Sequence, residues 1–242
     1  MIQVCPNGAR TRADGPHIPI TPDELAASVR EAVAAGARDG HLHPRDADGA
    51  ETLEPEAVAA AVAAVRAAAP GVPVGVTTAA WAEPDPRRRA ALVRSWNVLP
   101  DHASVNWHEE GAELVADALL ERGVGIEAGI FSGTDAAERF LAWPRAGRVL
   151  RVLAEVTDTD PATAPGTARD LLDRLRAATR PILLHGEDGG AWPVLRLACA
   201  LGLPTRIGLE DALLLPDGSP APGNAELVRA AVAIRRAHEV GR

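Results

Sequence analysis

Short apolar runs and longer, alanine-rich amphipathic stretches alternate eight times along the chain. The runs IQVC (2–5), DGHLH (39–43), VPVGVTT (72–78), HASVNW (102–107), VGIEAGI (124–130), RVLRVLAEV (148–156), RPILLH (180–185) and LPTRIGL (203–209) predict strands. The stretches between and after them, 21–36, 54–69, 86–96, 112–123, 135–143, 162–178, 192–202 and 224–240, carry helical periodicity. Thr21-Pro22 with Glu24, Glu54-Pro55 and Asp135 are start signals, and Gly36, Gly71, Gly123, Gly147 and Gly202 fall where helices should stop. Eight strand–helix units in about 250 residues is the arithmetic of an α/β chain folded as a (β/α)8 TIM barrel. The expectation is one catalytic domain over residues 1–242. An open doubly wound sheet is the alternative, but no GxGxxG follows the first run.

Composition acts mainly by exclusion. A formal charge of −8 and 3% aromatics argue against a nucleic-acid surface. There is no cleavable basic–apolar leader and no apolar run near the ~18 residues of a membrane span. Cys5 and Cys199 form neither a disulfide framework nor a CxxC motif. A cytoplasmic protein with neither nucleic-acid nor membrane partners is expected.

Polar residues concentrate where strands end, which in a barrel is the face that carries chemistry. Asn7 and Arg10 follow the first run; His41, His43 and Arg45 end the second. Thr77 and Thr78, then Ser104 and Asn106, end the third and fourth. Glu127 lies on the fifth, Glu155 and Asp158 close the sixth, His185 and Glu187 the seventh, and Arg206, Glu210 and Asp211 the eighth. His41 and His43, two apart on a strand, share a face. With one carboxylate they make an open zinc site of the catalytic type, and Glu210 is the distant carboxylate that fits best. Two unconnected histidines remain the alternative, as a surface ion pair does for Arg206 and Asp211. Asp46 and Asp48 in DADG read more simply as a turn.

The segments PNGARTRADGPHIPITPDELA, AGARDGHLHPRDADGAETL, TRIGLEDALLLPDG and NAELVRAAVAIRRAHEVGR resemble the β-keto acid cleavage enzyme family, also described as 3-keto-5-aminohexanoate cleavage proteins. HLHPRD and RIGLED are the most specific pieces. The resemblance implies a zinc-dependent barrel and a homo-oligomer, tetramer or dimer, with zinc on His41, His43 and Glu210. It implies that Arg206 and Asp211 are a catalytic pair, and that Thr77, Ser104 and Asn106 line the substrate pocket. It further implies a Claisen/retro-Claisen exchange of a small β-keto acid with acetyl-CoA as co-substrate, giving acetoacetate and a new acyl-CoA. Asp211 would accept the proton, because an arginine with a pKa above about 12 is a poor base.

Two departures from the family pattern stand out. Members often carry Glu-x-Glu-x-Phe on strand five, whereas this chain has EAGIF (127–131), leaving Glu127 as a further catalytic candidate or a group that orients others. The loop after strand six, AEVTDTDPATAP, is acidic where a glycine-rich stretch would suit CoA, and HGEDGGAW (185–192) has no cation for a phosphate. His185 is a candidate lining or acid–base group, and Arg10 a candidate fork for a substrate carboxylate. A zinc-dependent hydrolase or C–C lyase working on a keto acid without CoA is the alternative activity, and a non-catalytic metal and keto-acid sensor the third.

Overall fold

The computed structural model describes residues 1–240. Eight strands and eight α-helices alternate strictly: β1 (Ile2–Val4), α1 (Pro22–Ala35), β2 (Asp39–Leu42), α2 (Pro55–Ala68), β3 (Val74–Val76), α3 (Pro86–Ser95), β4 (His102–Asn106), α4 (Ala112–Arg122), β5 (Gly125–Phe131), α5 (Ala136–Ala142), β6 (Arg151–Val156), α6 (Ala164–Arg174), β7 (Ile182–Gly186), α7 (Ala191–Leu201), β8 (Thr205–Ile207) and α8 (Asn224–Val240). The sheet is parallel throughout, in the order β7-β6-β5-β4-β3-β2-β1-β8. The ring closes where Leu184 N donates to Pro204 O at 3.0 Å and the Thr205 hydroxyl donates to Leu184 O at 2.8 Å. The molecule is the expected (β/α)8 barrel.

Helix starts follow local chemistry. Thr21 and Glu24 form a reciprocal capping box ahead of α1, and the Asp85 carboxylate accepts from Arg87 N at the head of α3. Glu54 and Asp135 occupy their expected places without making a side-chain cap bond; at α5 the Thr134 hydroxyl accepts from Ala136 N instead. Gly147 sits in a short 3-10 turn (Ala146–Arg148) rather than at a helix end, and that turn takes over the first residue expected of β6. β3 and β8 are three residues each because the flanking residues leave the ladder to build the loops of the mouth.

The two faces of the barrel wall are chemically unlike. Outward residues such as Val4, Leu42, Val76, Val105 and Val152 meet Leu25, Val29, Val58, Val62 and Leu119 of the helices, all essentially unexposed. Each such side chain stabilises the fold by roughly 1.5–3 kcal/mol. Inward positions, two residues apart on each strand, instead carry Gln3, Asp39, His41, His102, Glu127 and Arg151. Arg151 binds both Asp39 (2.7 Å) and Glu127 (2.5 Å), while His102 stands 3.0 Å from Asp39 and 3.2 Å from Glu127. Gln3 donates to both carboxylates, at 3.0 and 2.9 Å. His102 lies across β3 where Gly75 stands; a Cβ there would fall 2.1 Å from the imidazole. This charged floor supports the mouth above it.

Candidate active site

The mouth is built one step further along the same inward-facing register. His41 lies on β2, one residue before its end, and His43 follows in a segment pinned by Asn7, whose side chain donates to His43 O (2.8 Å) and accepts from His43 N (3.1 Å). Asn7 is therefore a buried backbone clamp, not a lining group, contrary to the expectation of substrate contact. Beyond His43 the chain turns through DADG, with Asp46 accepting from Asp48 N and Ala50 N, as a simple turn requires. This turn returns Glu51 to the Nδ1 of His43. A carboxylate on one ring nitrogen fixes the tautomer that leaves the other nitrogen free as a ligand.

His41 Nε2 and His43 Nε2 stand 3.3 Å apart, and Glu210 Oε2 is 3.5 Å from the latter. The three ligand atoms all lie within 4.8 Å of one another. Glu210 is delivered by the loop after β8, where its backbone N donates to Cys5 O and Arg206 donates to its Oε1 at 2.9 Å. Its Oε2 is buried without a hydrogen-bond partner among the described residues. Two free imidazole nitrogens and an unsatisfied carboxylate oxygen converging on one point fit a divalent cation, with room left for a substrate oxygen. Burial works to lower the pKa of His43, yet the Glu210 and Glu51 carboxylates push it up to about 9, a local demand for positive charge.

The cavity beside this triad holds about 410 Å³. Thr77, Ser104, Asn106, His185, Arg206 and Asp211 line it, and so do Glu155, Glu187, Phe131 and Trp81. Arg206 grips Asp211 through Nη2 (2.9 Å) and Nε (3.1 Å), leaving Asp211 Oδ2 buried and unpartnered among the described residues. Burial, with the nearby Glu210 and Glu187 charges, lifts Asp211 to about 7 against the pull of Arg206. Burial and the neighbouring acids likewise lift Glu155 to about 8. Arg10 reaches the rim, donating to Glu210 O (3.0 Å) and binding Asp188 (2.5 Å).

Several expected residues lie elsewhere. Glu127, a catalytic candidate, does not line the cavity: it is fully buried beneath it, bound by Arg151 and Gln3, with Oε2 3.6 Å from His41 Nδ1. Thr78 points away to donate to Ser104 O, and Asp158 accepts from Thr167 in α6. Arg45 spans the first two loops, donating to Gly8 O and Arg10 O. Trp107 packs in the core against Phe140 and Trp143, and Trp192 donates to Leu214 O; Trp81 alone of these four borders the mouth, stacked 6.4 Å from His43.

Gly129, the departure from Glu-x-Glu-x-Phe, has a physical explanation. A Cβ at that position would lie 2.7 Å from Glu155 Oε1 and 2.8 Å from Asn106 Oδ1. The carboxylate missing from β5 is replaced in space by one from β6. Sequence reasoning missed Asp39, His102, Arg151 and Glu51. The first three share the two-residue phase of His41, Ser104 and Glu155, so strand parity alone marks them as inward. Glu51 had no such signal, because its place depends on the turn.

The sequence profile of the β-keto acid cleavage enzyme family matches residues 1–242. The chain belongs to that family. It is 26% identical over 253 residues to a 3-keto-5-aminohexanoate cleavage enzyme of Fusobacterium nucleatum subsp. nucleatum, covering 96% of this chain and 88% of the relative. The same identity holds over 247 residues to one from Acetoanaerobium sticklandii, covering 96% and 89%. Among solved structures, apo ObcA superposes with a TM-score of 0.74 at 20% identity, covering 94% of this chain. The chain spans 62% of the length of ObcA, and that likeness concerns the fold. No helix among the described residues is long and apolar enough to cross a membrane.

Proposed function

We propose that this barrel is a zinc-dependent enzyme that exchanges the acyl group of a small β-keto acid with acetyl-CoA. The observation that carries the reading is a shared cavity: the His41, His43 and Glu210 ligand atoms open onto the same space as the unpartnered Asp211 Oδ2. His41, His43 and Glu210 would hold the ion, which as a Lewis acid polarises the substrate carbonyl. Asp211, held at Oδ1 by Arg206, takes a proton from the carbon between the keto and carboxylate groups. Burial and the neighbouring acids raise its pKa above the usual carboxylate range, which favours accepting that proton. The carbon then attacks the thioester carbonyl and releases the thiolate. The thiolate adds to the original keto carbon, the carbon–carbon bond breaks, and acetoacetate leaves with the proton from Asp211. Thr77 and Ser104 offer hydroxyls to the substrate carboxylate, while Glu127 orients His41 from below.

One observation favours cleavage without CoA as the second reading. The rim carries Glu187 and Asp188, the chain contains no lysine, and Arg10 is engaged by Asp188. A phosphate-bearing tail meets repulsion there rather than a cradle. Incubation of the zinc-loaded protein with a panel of β-keto acids, with and without acetyl-CoA, separates the two. Acetoacetate and a new acyl-CoA formed only with the thioester are expected. Carboxylate products formed equally without it would replace the exchange reading with a hydrolytic one, and no turnover in either arm would overturn both.

A further inference from the structure

His185 stands at the end of β7, 3% exposed, and lines the cavity opposite the metal triad. Arg206 Nε shares its single N–H between the His185 Nδ1 and Asp211 Oδ1, each at 3.1 Å. A guanidinium has no acceptor, so Nδ1 must be the bare nitrogen and the ring proton must sit on Nε2. Asp211 Oδ1, 3.7 Å from Nδ1, is too far to claim a proton there. Nε2 is buried with no hydrogen-bond partner among the described residues; its nearest carboxylate, Glu155, stands 3.6 Å away. A buried donor left without an acceptor costs about 1–3 kcal/mol. Its retention beside the reactive groups calls for an acceptor that arrives with the substrate.

We infer that His185 is a further catalytic residue, a neutral imidazole locked by Arg206 so that its Nε2–H donates to the substrate oxygen that gains negative charge as the carbon–carbon bond is made and broken. The inference rests on the keto-acid cleavage reading above. In the addition step the nucleophile's electron pair forms a bond to the carbonyl carbon, and the π pair moves onto oxygen. On collapse that pair re-forms the carbonyl while the carbon–carbon bond breaks. His185 keeps its proton throughout. Burial, and then the Arg206 guanidinium, keep its pKa well below the ordinary range against the pull of Glu210 and Glu127, so the ring stays uncharged. A preorganised donor of this kind needs no reorganisation at the moment of reaction.

The test has a spectroscopic arm and a kinetic arm. In the 15N-histidine spectrum of the zinc-loaded protein, assigned by loss of one spin system in His185→Gln, His185 should show a protonated Nε2 and a bare Nδ1 from pH 6 to 9. Addition of acetoacetate should shift the Nε2–H resonance downfield. His185→Phe should lower kcat about 10²–10³-fold with KM little changed. His185→Gln, which restores a neutral donor near the Nε2 position, should recover most of that loss. A proton on Nδ1, an imidazolium, an acetoacetate-insensitive resonance, or a glutamine variant as impaired as the phenylalanine variant would overturn the inference. The resonance shift persisting in a wild-type protein that cleaves no β-keto acid would overturn the cleavage reading while leaving the locked donor standing.

Discussion

The barrel interior holds two charged layers a few ångströms apart, and they balance charge differently. In the floor, Arg151 and His102 face Asp39 and Glu127, each cation within 3.2 Å of both acids. Against the cost of burial, Glu127 and Asp39 raise His102 to about 10, so two positive and two negative charges close on themselves. At the mouth, Arg206 faces Glu210, Asp211 and Glu155, with His43 also near Glu210, and atoms of Glu210 and Asp211 are left without partners among the described residues. The floor is an ion network balanced in charge, whereas the mouth carries an excess of acid, which the proposed divalent cation would offset. Stability and chemistry are thereby assigned to adjacent turns of the same register.

Removing a metal ligand should produce the largest functional effect. Glu210→Ala takes away the proposed carboxylate ligand and frees Arg206, so zinc content should fall from about one per chain to near zero. Loss of a Lewis acid worth several kcal/mol corresponds to about 10³-fold or more in turnover. Folding should survive, because the mouth contributes little to the apolar annulus. Retention of stoichiometric zinc in Glu210→Ala, measured by atomic emission, would refute the triad.

The floor should respond in the opposite sense, through stability. Glu127→Ala leaves Arg151 and His102 without one of their two acids, and breaking a buried pair costs about 3–5 kcal/mol. Urea unfolding reads this directly. The pH dependence sharpens it. The folded pKa of His102, about 10, lies above its unfolded value, so its contribution is full below about 6.5 and is lost as pH rises through 10. Wild-type stability should therefore fall between those limits, and His102→Gln should flatten that slope while lowering stability at pH 6.

How much of this was legible in the sequence follows the same division. The barrel was readable because Val, Leu and Ala repeat in the strand and helix phases of every unit, and a mouth followed from polar strand ends. His41, His43 and Glu210 were reachable because strand ends converge, and HLHPRD and RIGLED carried the resemblance. The floor was legible in principle, since Asp39 and His102 stand two residues before His41 and Ser104 in the same inward phase. Glu51 and the clamp by Asn7 were not, because both depend on loop paths between residues 8 and 36 positions apart. Glu155 filling the space over Gly129 was hidden for another reason. It is a relation between neighbouring strands, fixed by the register that sets Phe131 beside Glu155.

Glu51 offers a smaller, graded test of how the mouth is tuned from outside. Glu51→Gln keeps the shape of the contact to His43 Nδ1 but removes its charge, and loss of such a partner typically lowers metal affinity about 10–100-fold. Competition with a zinc chelator should register that change while the thermal midpoint moves little. A midpoint drop comparable to that of Glu127→Ala would instead make Glu51 part of the structural network.

The rim pair gives the smallest effect and the cleanest separation of binding from folding. Arg10 and Asp188 are 21% and 54% exposed, so their mutual attraction is screened, and such pairs contribute about 0–1 kcal/mol. Asp188→Ala should leave the unfolding midpoint unchanged within error. It also frees the Arg10 guanidinium, still tethered by Nε to Glu210 O, to meet an incoming anion. KM for an anionic keto acid should then fall severalfold at constant kcat, and more so at low ionic strength, where surface charges are least screened. If Asp188 instead holds the loop after β7 in shape through its left-handed backbone and its bond to Asp211 O, the alanine variant will raise KM and lower kcat together. Steady-state kinetics at two salt concentrations distinguishes these outcomes. A KM that rises while kcat holds would mean that the freed Arg10 is not a group that greets the substrate.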